Sequence, residues 1–191
     1  FAIAVTDVDE FDVSAISDTD SGDDTLAEDA SSGDAVGITA SASDADGTTN
    51  GITYSLSDDD GGNFEIDEDT GVVTLTGSLD YETATSHDIE VTATSDDAST
   101  STESYTIAVT DVDEFDVSAI SDTNAGTDTL AEDASSGDAV GITASASDAD
   151  GTTNGITYSL SDDDGGNFEI DGSTGVVTLT GSLDYETATS H

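Results

Sequence analysis

The sequence predicts an all-β fold in which Greek-key β-sandwiches are repeated in tandem. Apolar residues alternate with polar ones in short runs, turn-forming clusters separate these runs, and most of the sequence recurs at an offset of 104 residues. A unit of this length is an ordinary domain size. Because no stretch has the 3.6-residue period of a core helix, strands are expected to form the core.

The strands of the first complete unit follow from alternating runs, taken in chain order. Each run puts its apolar members on one face: Phe11–Ala15, Val36–Ala40, Ile52–Leu56, Phe64–Ile66, Val73–Leu75, Ile89–Ala93 and Tyr105–Val109. A short segment at Leu26 precedes Glu28. Turn signals at Ser57–Asn63, Asp67–Gly71 and Ser95–Thr100 separate the later runs. About seven short strands in one domain are typical of a Greek-key sandwich.

The repeat predicts the domain boundaries. Residues 1–10 match the end of a repeat and are expected to be the last strand and linker of a preceding one. Residues 11–114 form a complete repeat, and residues 115–191 form a second repeat that stops before its last two strands. The sequence is therefore expected to be a window of a longer array. Aligned positions of the two repeats differ at five places: Asp20/Asn124, Ser21/Ala125, Asp23/Thr127, Glu68/Gly172 and Asp69/Ser173.

The charge is the strongest functional signal. The chain has 45 acidic residues and neither lysine nor arginine, which gives a formal net charge of −45. This composition excludes nucleic acid as a direct partner, because phosphate recognition needs basic groups. No apolar run has membrane-spanning length, and no cysteine is present to form a disulfide. Cations from solution must therefore neutralise a compact fold.

The recurrent acids predict where those cations bind. DVDE, AED, DAD and LDYE each occur twice at the repeat offset. The predicted strand order brings Glu28, Asp80, Glu82 and the Asp111–Glu114 linker to one end of the first unit. Asp148 and Asp150 are expected at the facing end of the second unit. Calcium takes six to eight oxygen ligands and suits such a cage, whereas zinc prefers the scarce histidine and absent cysteine.

The motifs resemble those of cadherin repeats, in the form found in giant repetitive, RTX-type calcium-dependent bacterial adhesins. The run at Gly62–Glu82 (GNFEIDEDTGVVTLTGSLDYE) resembles the family's G-x-F-x-I-D-x-x-T-G and L-D-R-E stretch. AED, DADGTTNG and VTDVDEF resemble its other acidic motifs in the same order. The resemblance covers the whole repeat and implies cadherin-like, immunoglobulin-like sandwiches joined end to end with calcium at the junctions.

The resemblance also implies a ligand set of about two or three Ca²⁺ ions per junction. Between the two repeats the implied ligands are Glu28, Asp80, Glu82, Asp111, Asp113, Glu114, Asp148, Asp150 and Asn154. At the N-terminal junction they are Asp7, Asp9, Glu10, Asp44, Asp46, Asn50 and Asp96. Beyond residue 191, a further junction would use Glu132, Asp184 and Glu186. The linker DVDEF lacks the family's final Asn and Pro, which favours the lower number of ions.

Other interpretations are weaker. His87 and His191 lack a nucleophile elbow, and a carboxylate pair is expected anywhere in so acidic a chain, so we expect no enzyme. A disordered acidic chain is a further alternative, which the apolar alternation argues against. The expected function is a calcium-rigidified extender or spacer in a bacterial cell-surface adhesin or extracellular filament. The alternative is a self-associating, calcium-dependent adhesion module. The expected partners are neighbouring repeats or identical chains.

Overall fold

A computed structural model describes residues 1–6, 8, 10–46 and 48–191. Within these ranges the chain forms strands, turns and loops without a helix, and it divides into two compact units, residues 1–112 and 113–191. The prediction of an all-β fold made of tandem sandwich domains is confirmed. The repeat boundaries at residues 10 and 114 stay a prediction.

Unit 1 is a β-sandwich. Its described residues form eight strands: β1 (Ser17–Asp18), β2 (Thr25–Ala27), β3 (Ala35–Ser41), β4 (Ile52–Asp58), β5 (Phe64–Ile66), β6 (Val72–Leu75), β7 (Ser86–Ser95) and β8 (Thr100–Thr110). One sheet has the order β1-β3-β6-β5 and the other β2-β8-β7-β4. Strand β2 pairs with β8 in parallel, and the remaining pairs are antiparallel.

The core lies between these two sheets. Its most buried side chains alternate along the strands, as the sequence period predicts, and are at most 1% exposed: Val36, Ile38, Val73, Leu75, Ile89, Val91 and Ile107. Each buried side chain of this size stabilises the fold by roughly 1.5–3 kcal/mol. Close contact between β3 and the start of β6 depends on Gly71, which has a φ of 70° and lies against the Ala40 carbonyl.

The predicted strand over Phe11–Ala15 is wrong. These residues form no ladder, and the sheet begins instead at β1, where Ser17 and Asp18 pair with Ser41 and Ala40. Polar groups outside a ladder hold the segment: Val13 N–H donates to Ser99 Oγ at 2.9 Å. Hydroxyl groups of this kind compete with ladder hydrogen bonds, so alternation alone did not produce a strand.

Unit 2 repeats the first sheet of unit 1. Its described residues form β9 (Ser121–Asp122), β10 (Ala139–Ser145), β11 (Phe168–Ile170) and β12 (Val176–Leu179), in the order β11-β12-β10-β9. This is the order of β5-β6-β3-β1. Over residues 113–191 the structure shows no second sheet facing it.

Candidate metal centres

Acidic side chains gather in three places within the described residues. In each group, every member offers a carboxylate oxygen within 4.8 Å of an oxygen of the others. We call them the Glu28 cluster (Glu28, Glu82 and Asp111), the Asp46 cluster (Asp44, Asp46 and Asp97) and the Glu132 cluster (Glu132, Asp184 and Glu186). Eight of these nine residues were predicted as ligands.

The sheet topology builds the Glu28 cluster. Glu28 directly follows β2, and Asp111 directly follows β8. Because β2 and β8 run in parallel, their carboxyl ends meet at the same edge, and Glu28 N–H donates to the Thr110 carbonyl at 3.1 Å. Glu82 reaches the same place from the turn that precedes β7.

The Glu28 carboxylate ties three segments together. Its Oε2 accepts a hydrogen bond from Tyr81 N–H at 2.7 Å, and its Oε1 accepts one from Val112 N–H at 2.7 Å. The residue is only 9% exposed. A buried carboxylate needs paired charge or strong donors, and this chain has no lysine or arginine to pair with it. Glu28 is therefore well placed to bring a cation against the end of unit 1.

One predicted ligand, Asp80, is not among the carboxylates that converge here. Asp80 Oδ1 accepts a hydrogen bond from Thr83 N–H at 3.0 Å, so this carboxylate caps the turn that carries Glu82. Glu114 belongs to unit 2, where its N–H donates to Asp150 Oδ1 at 3.1 Å.

The Asp46 cluster lies at the start of unit 1. Asp46 is 3% exposed, and its two carboxylate oxygens accept hydrogen bonds from Glu10 N–H and Phe11 N–H, each at 3.2 Å. Asp44 Oδ1 accepts from Asp46 N–H at 3.0 Å, and Asp44 Oδ2 accepts from Ser95 Oγ at 2.5 Å. The DAD motif thus fixes the segment that enters the unit.

The third member of this group is Asp97, which sequence reasoning did not select. Asp97 Oδ1 accepts a hydrogen bond from Ser99 N–H at 2.7 Å. The predicted residue, Asp96, points its carboxylate to Gly51 N–H at 3.1 Å instead. The turn between β7 and β8, where Ala98 has a φ of 73°, decides which aspartate joins the cluster. The sequence of this turn, SDDAST at residues 95–100, does not indicate which of the two aspartates joins the cluster.

Unit 2 repeats the Asp46 arrangement at Asp150, which is 1% exposed. Its Oδ1 accepts hydrogen bonds from Glu114 N–H and Phe115 N–H, each at 3.1 Å, and Asp148 Oδ1 accepts from Asp150 N–H at 3.3 Å. Burial by itself raises the pKa of Asp150, but hydrogen bonds with the Phe115 and Glu114 N–H groups and with the Asp148 and Asp113 side chains together hold this pKa below its ordinary value. The neighbouring Asp150 carboxylate raises the pKa of Asp113, first by a hydrogen bond and then by charge repulsion.

The Glu132 cluster is the counterpart of the Glu28 cluster in unit 2, and its members are exposed. Glu132 Oε2 accepts a hydrogen bond from Tyr185 N–H at 3.1 Å, as Glu28 does from Tyr81. Asp184 accepts from Thr187 Oγ1 at 2.9 Å, and this bond is the main cause that lowers the pKa of Asp184.

Of the remaining predicted ligands, Asn50, Asn154 and Glu10 are exposed. Asp7 and Asp9 lie outside the described residues.

The two histidines have a role that sequence reasoning missed. His87 Nδ1 lies 2.6 Å from Asp60 Oδ2, and its ring packs edge-on against Phe64 at 5.9 Å between centroids. His191 repeats this with Asp164 at 2.7 Å and Phe168 at 6.2 Å. Each histidine thus contacts the DDDGG turn of its own unit, which lies at residues 58–62 in unit 1 and 162–166 in unit 2. Both histidines occupy equivalent positions of the repeat, but this equivalence does not indicate which residue each one contacts.

The donor chemistry of the clusters fits calcium. Every side chain in them offers carboxylate oxygen, the ligand that hard cations prefer, and neither sulfur nor imidazole is present. Asp150 supports the fit, because its Oδ2 is buried and no described residue donates a hydrogen bond to it. Paired carboxylates at 4–5 Å repel each other by roughly 1–4 kcal/mol, depending on the local dielectric.

Comparison with known proteins identifies the family. A model of the cadherin domain matches residues 25–113 and 129–191, which is most of the chain. This chain belongs to the cadherin-domain family. The predicted resemblance to cadherin repeats is thereby confirmed, while the bacterial RTX-type subgroup stays a prediction.

Relatives and solved structures agree with this assignment. The cadherin-domain chain is 39% identical over 133 residues to mouse protocadherin Fat 4, and 34% identical over 132 residues to human protocadherin Fat 1. Both matches cover 68% of the chain and only 3% of the relative. Mouse cadherin-23 EC22-24 superposes with a TM-score of 0.69 at 26% identity, over 95% of this chain and 57% of that one. Protocadherin gamma B7 extracellular domains 1-4 give 0.74 at 26% identity, over 95% and 44%.

Three general properties are typical of this family. Cadherin domains are extracellular adhesion modules, they are structural rather than enzymatic, and they bind Ca²⁺ at the junctions between domains. No helix in the described part of this cadherin-domain chain is both long enough and apolar enough to cross a bilayer.

Proposed function

We propose that this chain is a calcium-rigidified spacer in a bacterial cell-surface adhesin or extracellular filament. The single observation that carries the proposal is the Glu28 cluster, in which three carboxylates converge at one end of a sandwich while the chain offers no lysine or arginine. Near-identity of the two repeats supports a role in which copy number sets length.

The residues that would hold calcium come partly from the clusters and partly from the ligand set that the resemblance implies. Glu28, Glu82 and Asp111 would bind from unit 1. The resemblance implies about two or three ions per junction. Asp113, Glu114, Asp148, Asp150 and Asn154 would complete the junction from unit 2, and Asp80 stays in the proposed set through its turn. At the N-terminal junction, Asp44, Asp46 and Glu10 would act with Asp97 in the place proposed for Asp96.

The mechanism is electrostatic. Bound calcium supplies positive charge that neutralises the clustered carboxylates. Glu28 connects the neutralised cluster to the backbone, because its oxygens accept hydrogen bonds from the Tyr81 and Val112 N–H groups. These bonds position the turn that contains Tyr81 and the linker that contains Val112. Asp46 and Asp150 hold the entering segments of their units in the same way. Calcium would thus fix the path of the linker, and removal of calcium would release it.

Calcium removal tests the proposal. Small-angle X-ray scattering of the chain should give a longer maximum dimension and stiffer profile in millimolar calcium than in chelator, since extracellular modules of this class bind at about 0.1–1 mM. Replacing Glu28, Glu82 and Asp111 by their amides should abolish the difference. A matched triple amide variant at exposed Asp58, Asp69 and Glu68 should keep it. Identical wild-type profiles in both conditions would reject the hinge.

A second function, self-association, is favoured by membership of the cadherin-domain family, for which homophilic adhesion is plausible. Identical chains are the partner proposed for it. A chain that stays monomeric at saturating calcium would favour the spacer alone.

A further inference from the structure

Ser95 is a buried hydroxyl residue beside the Asp46 cluster. It is the last residue of β7 and is 4% exposed. The core-facing residues before it on this strand, Ile89, Val91 and Ala93, are apolar and at most 1% exposed. Among the described residues, Ser95 has the only buried polar side chain that is not a carboxylate. Because burying a hydroxyl group without a hydrogen bond costs free energy, this position depends on a partner.

The partner of this hydroxyl group is the Asp44 carboxylate. Ser95 Oγ lies 2.5 Å from Asp44 Oδ2 and 3.0 Å from the Thr49 carbonyl oxygen. A hydroxyl group has one proton, so it donates to one of these acceptors at a time. Asp44 Oδ2 is both closer and charged, and charged acceptors form the shorter and stronger hydrogen bonds. The Ser95 proton is therefore donated to Asp44.

Asp44 is held at both of its carboxylate oxygens. Its Oδ1 accepts a hydrogen bond from Asp46 N–H at 3.0 Å, and its Oδ2 accepts the one from Ser95. The bond from Asp46 lies within the loop between β3 and β4. Ser95, by contrast, is at the end of a strand that pairs with both β4 and β8. Its hydroxyl group therefore fixes the Asp44 carboxylate to the sheet and sets the direction of both oxygens.

We propose that Ser95 is a positioning residue for calcium at the Asp46 cluster and that it acts through Asp44. The proposal rests on the proposed function, because it requires that this cluster binds calcium. The hydroxyl group holds Asp44 so that one of its oxygens lies within 4.8 Å of oxygens of Asp46 and Asp97. Less ordering is then left for the ion to impose, which raises affinity. Groups that orient metal ligands in this way typically contribute roughly 10–100-fold to metal affinity.

Alanine at position 95 removes the hydroxyl group and leaves the backbone of the turn intact. Ser95 N–H donates to the Ser99 carbonyl at 3.0 Å, and the Ser95 carbonyl accepts from Ala98 N–H at 2.9 Å. Both are main-chain bonds, so the variant keeps them. Ala93 already occupies a core-facing position two residues earlier. Ser95→Ala should therefore fold, and thermal unfolding in chelator measures any loss of stability separately from calcium binding.

A calcium titration of the 191-residue chain, followed by the NMR signals of backbone amides, tests the proposal. Glu10 N–H and Phe11 N–H donate to Asp46, so their signals report on this cluster. Ser95→Ala should raise the calcium concentration at half-saturation of these signals about tenfold or more. Ser86→Ala, at the exposed first residue of β7, is the matched control and should leave this concentration unchanged.

A double-mutant cycle separates positioning from a general effect on the fold. Asp44→Asn removes the charged acceptor. On that background, Ser95→Ala should change the calcium affinity less than about twofold, because the bond through which Ser95 acts is already weakened. A general effect on the fold would give the same factor on both backgrounds. The signal of Tyr185 N–H, which donates to Glu132 and reports on the Glu132 cluster, should titrate equally in all of these chains.

Failure of the calcium function is distinguishable from failure of the positioning role. If the Glu10 and Phe11 signals of the wild-type chain do not respond to calcium, the calcium function fails at this cluster and the role of Ser95 fails with it. If they respond and Ser95→Ala leaves the affinity unchanged or raises it, only the positioning role is overturned. Equal losses from Ser95→Ala with and without Asp44→Asn would also overturn that role.

Discussion

Replacing Glu28 by glutamine is the most direct perturbation of the proposed calcium function. The substitution keeps the size of the side chain and removes its charge. Glutamine offers one acceptor oxygen, whereas the Glu28 carboxylate accepts from both Tyr81 N–H and Val112 N–H at 2.7 Å. One of these charged hydrogen bonds is therefore lost, at a cost of roughly 1.5–3 kcal/mol.

The effect should depend on calcium. In chelator, the loss is offset because repulsion from Glu82 and Asp111 disappears, and each such pair is worth roughly 1–4 kcal/mol. In calcium, a charged ligand is removed as well. A tenfold weaker affinity lowers the ligand-dependent stabilisation by about 1.4 kcal/mol, which corresponds to roughly 5 °C or more in melting temperature.

The assay is thermal unfolding followed by circular dichroism, in saturating calcium and in chelator, with calorimetric titration of calcium. We expect the calcium-induced rise in melting temperature to shrink in the Glu28→Gln variant. Glu68→Gln is the matched control, because Glu68 is exposed and its counterpart in unit 2 is Gly172. If the Glu28→Gln variant loses the same stability with and without calcium, Glu28 has a purely structural role.

Three further predictions concern unit 1. Asp97→Asn should weaken calcium binding in titration calorimetry about tenfold or more, and Asp96→Asn should change it less; the reverse order would contradict the Asp46 cluster. Gly71→Ala should lower the free energy of unfolding, measured by chemical denaturation, by roughly 2 kcal/mol or more, because φ is 70° and the new methyl group meets the Ala40 carbonyl. Gly33→Ala should lower it less, because Gly33 has open space around it. Burial, followed by the charges of Asp18, Glu103 and Asp24, raises the pKa of Tyr105 to about 12. The free energy of unfolding should therefore fall as pH rises from about 10 to about 12. Tyr105→Phe should remove this loss, and a Tyr105→Phe variant with the same pH dependence as the wild type would show that Tyr105 does not cause it.

Most strands of unit 1 could be predicted because alternate side chains along each of them are buried in the core. Alternating residues such as Ile89, Val91 and Ala93 face the core along a regular ladder, so the two-residue period is written directly into the sequence. Phe11–Ala15 has the same period and is not a strand, since its backbone bonds to loop groups. Period indicates which side chains can share a face, but pairing depends on what lies beside the segment.

The convergence of acidic side chains was predictable for a related reason. Glu28 and Asp111 directly follow paired strands, so strand order alone brings them together. Asp96 and Asp97 could not be separated, because the choice depends on a turn with a positive φ at Ala98. The contact between His87 and Asp60 joins segments 27 residues apart, and no local pattern announces it.

The parallel pairing of β2 and β8 determines how unit 1 responds to a pulling force. One strand lies near the start of the sandwich and the other at its end, so tension applied along the chain draws them in opposite directions. The hydrogen bonds of Thr25–Ala27 with Ala108–Thr110 are then loaded in shear and must break together rather than one at a time. We expect this short ladder to provide most of the resistance to extension. The Val112 N–H group, just beyond the ladder, donates a hydrogen bond to Glu28 Oε1, and this bond would have to break as well.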